Sequence, residues 1–135
     1  MDNASVFNPL DKNNLGKSVV DALLERPVEP LEGVRDSCGA GVYAIYYQGP
    51  CPFYKVLSAL NQKEPRYPIY VGKAIPKGGR KGASMDASLE STALSNRLQE
   101  HKASIESVAS LSIKDFQFRS LVVDDIWISL GETLV

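Results

Sequence analysis

Residues 41–47, GVYAIYY, carry no charge, are dense in β-branched and aromatic side chains, and lie between Gly41 and Gly49. Side chains of this kind fit the pleated surface of a β-strand. Period-2 alternation then sends Tyr43, Ile45 and Tyr47 to one face and Val42, Ala44 and Tyr46 to the other. A second apolar strand is expected at 68–72, PIYVG, where Tyr70 points away from Ile69 and Val71. If the two are neighbours, Tyr43 and Tyr70 share a face, each near a glycine that lets a bulky ligand approach the backbone. The same pattern also fits two core or rim aromatics.

Around these strands the chain punctuates itself. Asn14 can cap a first helix whose apolar positions include Leu15, Val19, Val20, Ala22 and Leu23, and Pro27 stops it. PVEPLEGVRDSCGAG, rich in proline, glycine and acids, is expected to be a surface connector. A short helix is expected over 54–61. The glycine-rich stretch GKAIPKGGRKGASMDAS is expected to be a mobile loop. Ser91 or Thr92 can cap a long helix with Leu94, Leu98, Ile105 and Val108 on one face; DFQFRSLVV is a third strand, and Asp124 and Asp125 suit the first turn of a last helix. Two strands joined without a crossover helix favour an antiparallel pair. The predicted fold is therefore α+β, a small antiparallel three-stranded sheet flanked by helices, with residues 1–40 as an amino-terminal helix and wrapping connector and 41–135 as the core of a single domain.

The long helix contains an oddity. His101 falls in the middle of the apolar stripe, with Arg97 one turn before it on the stripe's edge. An unpaired buried charge is costly, so both groups need partners, hydroxyls or phosphates being the obvious ones. A histidine on an apolar face also fits a satisfied core residue. Glu132, alone, fits a solvated or capping carboxylate as well as a metal ligand.

Charge is balanced overall, with a formal net of -1, yet Pro65 to Met85 holds Arg66, Lys73, Lys77, Arg80 and Lys81 and no acid. That local cationic strip suits a polyanion. The sequence VGKAIPKGGRKG lacks the order of a nucleotide-binding phosphate loop, which argues against a nucleoside triphosphatase. Two cysteines, Cys38 and Cys51, with a single histidine do not complete a zinc site. They are expected to be reduced thiols in a soluble, cytoplasmic protein, since no window has the length of a membrane span and the amino terminus lacks an export signal.

Gly41-Val42-Tyr43, Tyr70-Val71-Gly72-Lys73, Arg97 with His101 on one helix, and Glu132 on the next together resemble the GIY-YIG nuclease superfamily over about residues 40–135, most closely its type II restriction endonucleases. The long step from Tyr43 to Tyr70 is similar to that branch's insertion. The resemblance implies Mg²⁺-dependent hydrolysis of double-stranded DNA at a palindrome, by a homodimer without membrane attachment. By likeness the site is a hexamer such as CCGCGG. It implies that Glu132 holds one Mg²⁺, that Tyr43 takes the proton of the attacking water with His101 placed to receive it, and that a cation such as Lys73 or Arg97 favours the Tyr43 anion. Arg97 would neutralise the phosphate and Tyr70 would orient it. The loop carrying Lys73, Lys77, Arg80 and Lys81 and the insertion from Gln48 to Pro68 would grip the duplex. In this family the chain continues past the glutamate to an asparagine-bearing motif, so an end at Val135 is expected to be a truncation. A catalytically impaired DNA-binding module and a structure-specific repair nuclease are the rival expectations.

Overall fold

The computed structural model describes residues 11–75 and 91–123. In chain order the elements are helix α1 (Lys12–Leu24), strand β1 (Glu29–Pro30), strand β2 (Gly41–Tyr47), helix α2 (Lys55–Leu60), strand β3 (Tyr70–Ala74), helix α3 (Ala93–Glu106) and strand β4 (Phe116–Val122). Single 3₁₀ turns occupy Leu31–Gly33, Pro52–Tyr54 and Ile113–Asp115. All strand pairs are antiparallel, in the order β1-β4-β2-β3. Among the described residues the sheet thus has four strands where three were expected. The additional one is cut from the segment expected to be a connector, and its Pro30 can be accommodated because β1 is an edge strand.

Every residue of β2 is buried. Its alternation divides the core into two layers, as expected. Tyr43, Ile45 and Tyr47 pack with Leu94 and Leu98 of α3 and with Leu31, Phe116 and Phe118, whereas Val42, Ala44 and Tyr46 pack with Leu23 of α1. Leu31, in the supposed surface connector, is fully buried, so this segment seals the core. Two other expectations fail. Asn14 lies inside α1, which begins at Lys12, so the helix starts before the expected cap. Val108 falls beyond the end of α3 and is exposed, because the helix stops before the stripe reaches it. Arg119, on the α1 face, is a buried cation that donates to the carbonyls of Arg26 and Pro65 and lies 5.2 Å over the Tyr46 ring. Backbone acceptors and an aromatic face stand in for a counter-ion.

The insertion between β2 and β3 is folded around one side chain. Asn61, fully buried, donates to the carbonyls of Tyr47 (3.3 Å) and Tyr67 (2.9 Å) and accepts from the N–H groups of Arg66 (3.0 Å) and Tyr67 (2.9 Å). All four polar positions of its amide are engaged, which fixes the turn leading into β3.

Candidate functional site

The site forms where β2, β3 and α3 meet. Register pairs Tyr43 with Gly72 and Ile45 with Tyr70, so the two tyrosines occupy one face, as the alternation requires. Their rings lie 6.1 Å apart at 21°. Gly72 is needed for a different reason from the one expected. A Cβ there would come within 2.6 Å of Tyr43 Cζ; the glycine makes room for the neighbouring tyrosine, not for a ligand.

Helix α3 is fastened over this face by its first turn. The Leu94 N–H donates to the Gly39 carbonyl (3.0 Å), the Gly39 N–H donates to the Ser91 carbonyl, and Ser95 Oγ both donates to the Ser37 carbonyl (3.0 Å) and accepts from the Ser37 N–H (3.2 Å). Ser95 is buried and Gly39 has a φ of 144°, a conformation other residues rarely adopt. These two residues, unnoticed in the sequence, tie the start of α3 to the segment entering β2. That tie sets the height of Arg97 and His101 relative to Tyr43. A small serine at helical spacing beside Leu94 and Leu98 was the only available signal.

His101 turns from the apolar stripe into the sheet, and its Nε2 lies 2.8 Å from Tyr43 Oη. Its ring is also 4.4 Å from that of Tyr70. Burial first, and the Arg97 charge second, push the imidazole below its ordinary pKa, partly offset by Glu100. Burial and the neighbouring Tyr70 push the Tyr43 phenol up to about 12, against the opposing pull of Arg97. The expectation of a Tyr43 anion sustained by a nearby cation is therefore corrected: desolvation outweighs the guanidinium. Both groups are neutral at pH 7, and in the tautomer that carries its proton on Nδ1 the imidazole accepts the phenol O–H at Nε2. Tyr43 is 0% and Tyr70 43% exposed. Tyr70 thus presents the accessible edge of the cluster, with Tyr43 sealed beneath it.

Arg97 stands at the edge of the stripe, as its helical spacing from His101 requires. Its guanidinium bonds Glu100 at 3.1 Å, an exposed pair one turn along the helix. Such a pair contributes little and can be exchanged for a phosphate. Lys73 is on β3, one residue after Gly72. Lys77, Arg80, Lys81 and Glu132, with the last predicted helix, lie outside the described residues. Among the described residues no three His, Cys, Asp or Glu side chains cluster as a metal site, and no helix is long and apolar enough to cross a membrane. Phenols, an imidazole and a guanidinium are poor ligands for Mg²⁺, which prefers carboxylate and phosphate oxygens. The described cluster therefore suits proton transfer and anion binding, and a carboxylate such as Glu132 suits the metal.

A family model described as the Eco29kI GIY-YIG domain matches residues 35–135. No curated protein matches the chain.

Proposed function

The chain belongs to the Eco29kI GIY-YIG family of restriction endonucleases, site-specific nucleases that cleave DNA, and from that premise we propose a Mg²⁺-dependent enzyme that cuts both strands of a palindromic duplex as a homodimer in the reduced cytoplasm. The observation that carries the catalytic reading is the 2.8 Å contact between Tyr43 Oη and His101 Nε2 beneath the exposed Tyr70.

A standing phenolate is disfavoured with the Tyr43 pKa near 12. The bonded neutral imidazole removes that difficulty. As water attacks phosphorus, its proton passes to Tyr43 Oη while the phenolic proton passes to His101 Nε2, so the phenol is never left charged. The product is an imidazolium, held beside two neutral phenols. Because Tyr43 is shielded from solvent, water enters only when Tyr70 or His101 gives way to the substrate. Arg97, released from Glu100, stabilises the charge that develops on the phosphate, and Tyr70 orients a non-bridging oxygen by donating its O–H. Mg²⁺ held through the Glu132 carboxylate would supply Lewis-acid stabilisation of the leaving 3′ oxygen. Lys73, Lys77, Arg80 and Lys81 are assigned to the duplex backbone.

The test is digestion of supercoiled plasmids with and without CCGCGG, in Mg²⁺ or in EDTA. Discrete fragments that require Mg²⁺ support the reading, and fragments only from the CCGCGG plasmid support that site. Random or branch-dependent nicks assign the chain to repair. A mobility shift without cuts indicates an impaired binding module. Wild-type rates in both Tyr43→Phe and Glu132→Ala would remove the mechanism.

A further inference from the structure

The helical run 52–60, formed by the 3₁₀ turn and α2 together, carries the largest apolar exposures among the described residues. Phe53, Val56 and Leu60 are 89%, 74% and 52% exposed. Their spacing of three and then four residues puts them on one side of the continuous helical run 52–60. They border an open groove of about 490 Å³ lined also by Pro52, Tyr54 and Leu57. This is not a loosely held segment that happens to be greasy. Behind the ridge, Tyr54 stacks edge-on against Tyr47, Ser58 Oγ donates to the Gly49 carbonyl (2.7 Å), and Asn61 closes the next turn with its amide fully engaged. The apolar side chains are presented to solvent by a rigid support.

We propose that this ridge is the surface on which a second copy of the chain docks, an inference that rests on the homodimer reading above. Three observations choose this occupant. Charge disfavours the duplex: the groove has one cation, Lys55, whereas a surface that binds a polyanion needs several. Area suits a protein: the three side chains expose on the order of 400 Å² of apolar surface, about the apolar share of the ~800 Å² that each partner contributes to a standard interface. Shape suits self-association: the patch has both a protruding ring, Phe53, and a groove beside it. A twofold axis can seat each copy's ring in the other's groove, as an isologous interface requires. One copy of Tyr43, Tyr70, Arg97 and His101 serves one strand, so two copies are needed to cut both.

Sedimentation velocity over a concentration series tests this on wild type, Phe53→Asp and Val56→Glu, with thermal melts as the fold check. Both substitutions are at exposed positions outside the residues assigned to catalysis. The expected result is a wild-type dimer whose dissociation constant rises at least tenfold in either variant, with plasmid cleavage changing from linear product to nicked circles. Val56→Cys in a Cys38→Ser background should also be cross-linked to itself by a short bis-maleimide, a readout that requires no destabilised variant. Dimers that persist unchanged in both variants, without cross-linking, would overturn the surface and leave the homodimer reading intact. A wild type that stays monomeric with and without duplex would overturn both. Loss of duplex binding in variants that remain dimeric would reassign the ridge to DNA.

Discussion

Replacing Asn61 by alanine is expected to cost more than any other single polar truncation in the insertion. Four hydrogen bonds of 2.9–3.3 Å end on its amide, and the side chain is 0% exposed. A typical intramolecular hydrogen bond is worth about 1 kcal/mol net, which sets a ceiling of about 4 kcal/mol. Tyr67, whose N–H and carbonyl supply two of the four bonds, is half exposed, so water recovers part of this and the expected loss is about 3 kcal/mol. For a domain of total stability about 5–15 kcal/mol that is a large share. In urea, with a slope near 2 kcal/mol per M, the midpoint should fall by about 1.5 M. Cleavage at a temperature where the variant stays folded should fall as well, because the turn that Asn61 closes leads directly into Tyr70. A loss below about 1 kcal/mol, measured by urea unfolding at two protein concentrations, would show that the amide's bonds are replaced by solvent and that the turn is held by something else.

Tyr43→Phe should lower the cleavage rate by about 10²–10⁴ while leaving duplex affinity in a gel shift unchanged, since it deletes the proton path and no phosphate contact. Gly72→Ala should push the Tyr43 ring off His101 and reduce cleavage at least tenfold, read beside a melting curve that separates inactivation from unfolding. Protonation of His101 removes the acceptor, and its folded pKa lies below the ordinary value. Activity should therefore hold through neutral pH and fall only on the acid side of about 6.5, a limb that His101→Gln abolishes. Stability follows the same sign: between the folded and unfolded pKa of His101 the unfolded chain binds more protons, so the folded state gains stability as pH rises through that window and loses it as pH falls.

The parts of the fold that could be read from sequence were those in which one physical signal dominated. In β2 the two-residue alternation maps onto two buried layers because different helices cover the two faces. His101 stood out because an imidazole in a row of leucines has nothing to gain from burial without a partner. The two glycine-flanked tyrosines were correctly placed on one face, but the role of Gly72 depends on where the neighbouring ring lies, which spacing alone does not contain. Strand β1 was invisible: two residues, one of them proline, carry no periodicity, and only pairing with β4 makes them a strand. Asn61 fell at the end of the expected short helix, where spacing carries no sign of the backbone groups of Tyr47, Arg66 and Tyr67 that its amide engages. The protonation of Tyr43 turned on burial against one guanidinium, a comparison that needs three dimensions.

The outer margin of the sheet next to β4 is two residues long and ends in Pro30, which has no N–H to offer. A stray chain seeking to extend the ladder there meets too few amides to register. Ladder growth onto β1 itself is thus disfavoured by the backbone alone, although β1 covers only Gln117 and Phe118 of the seven-residue β4.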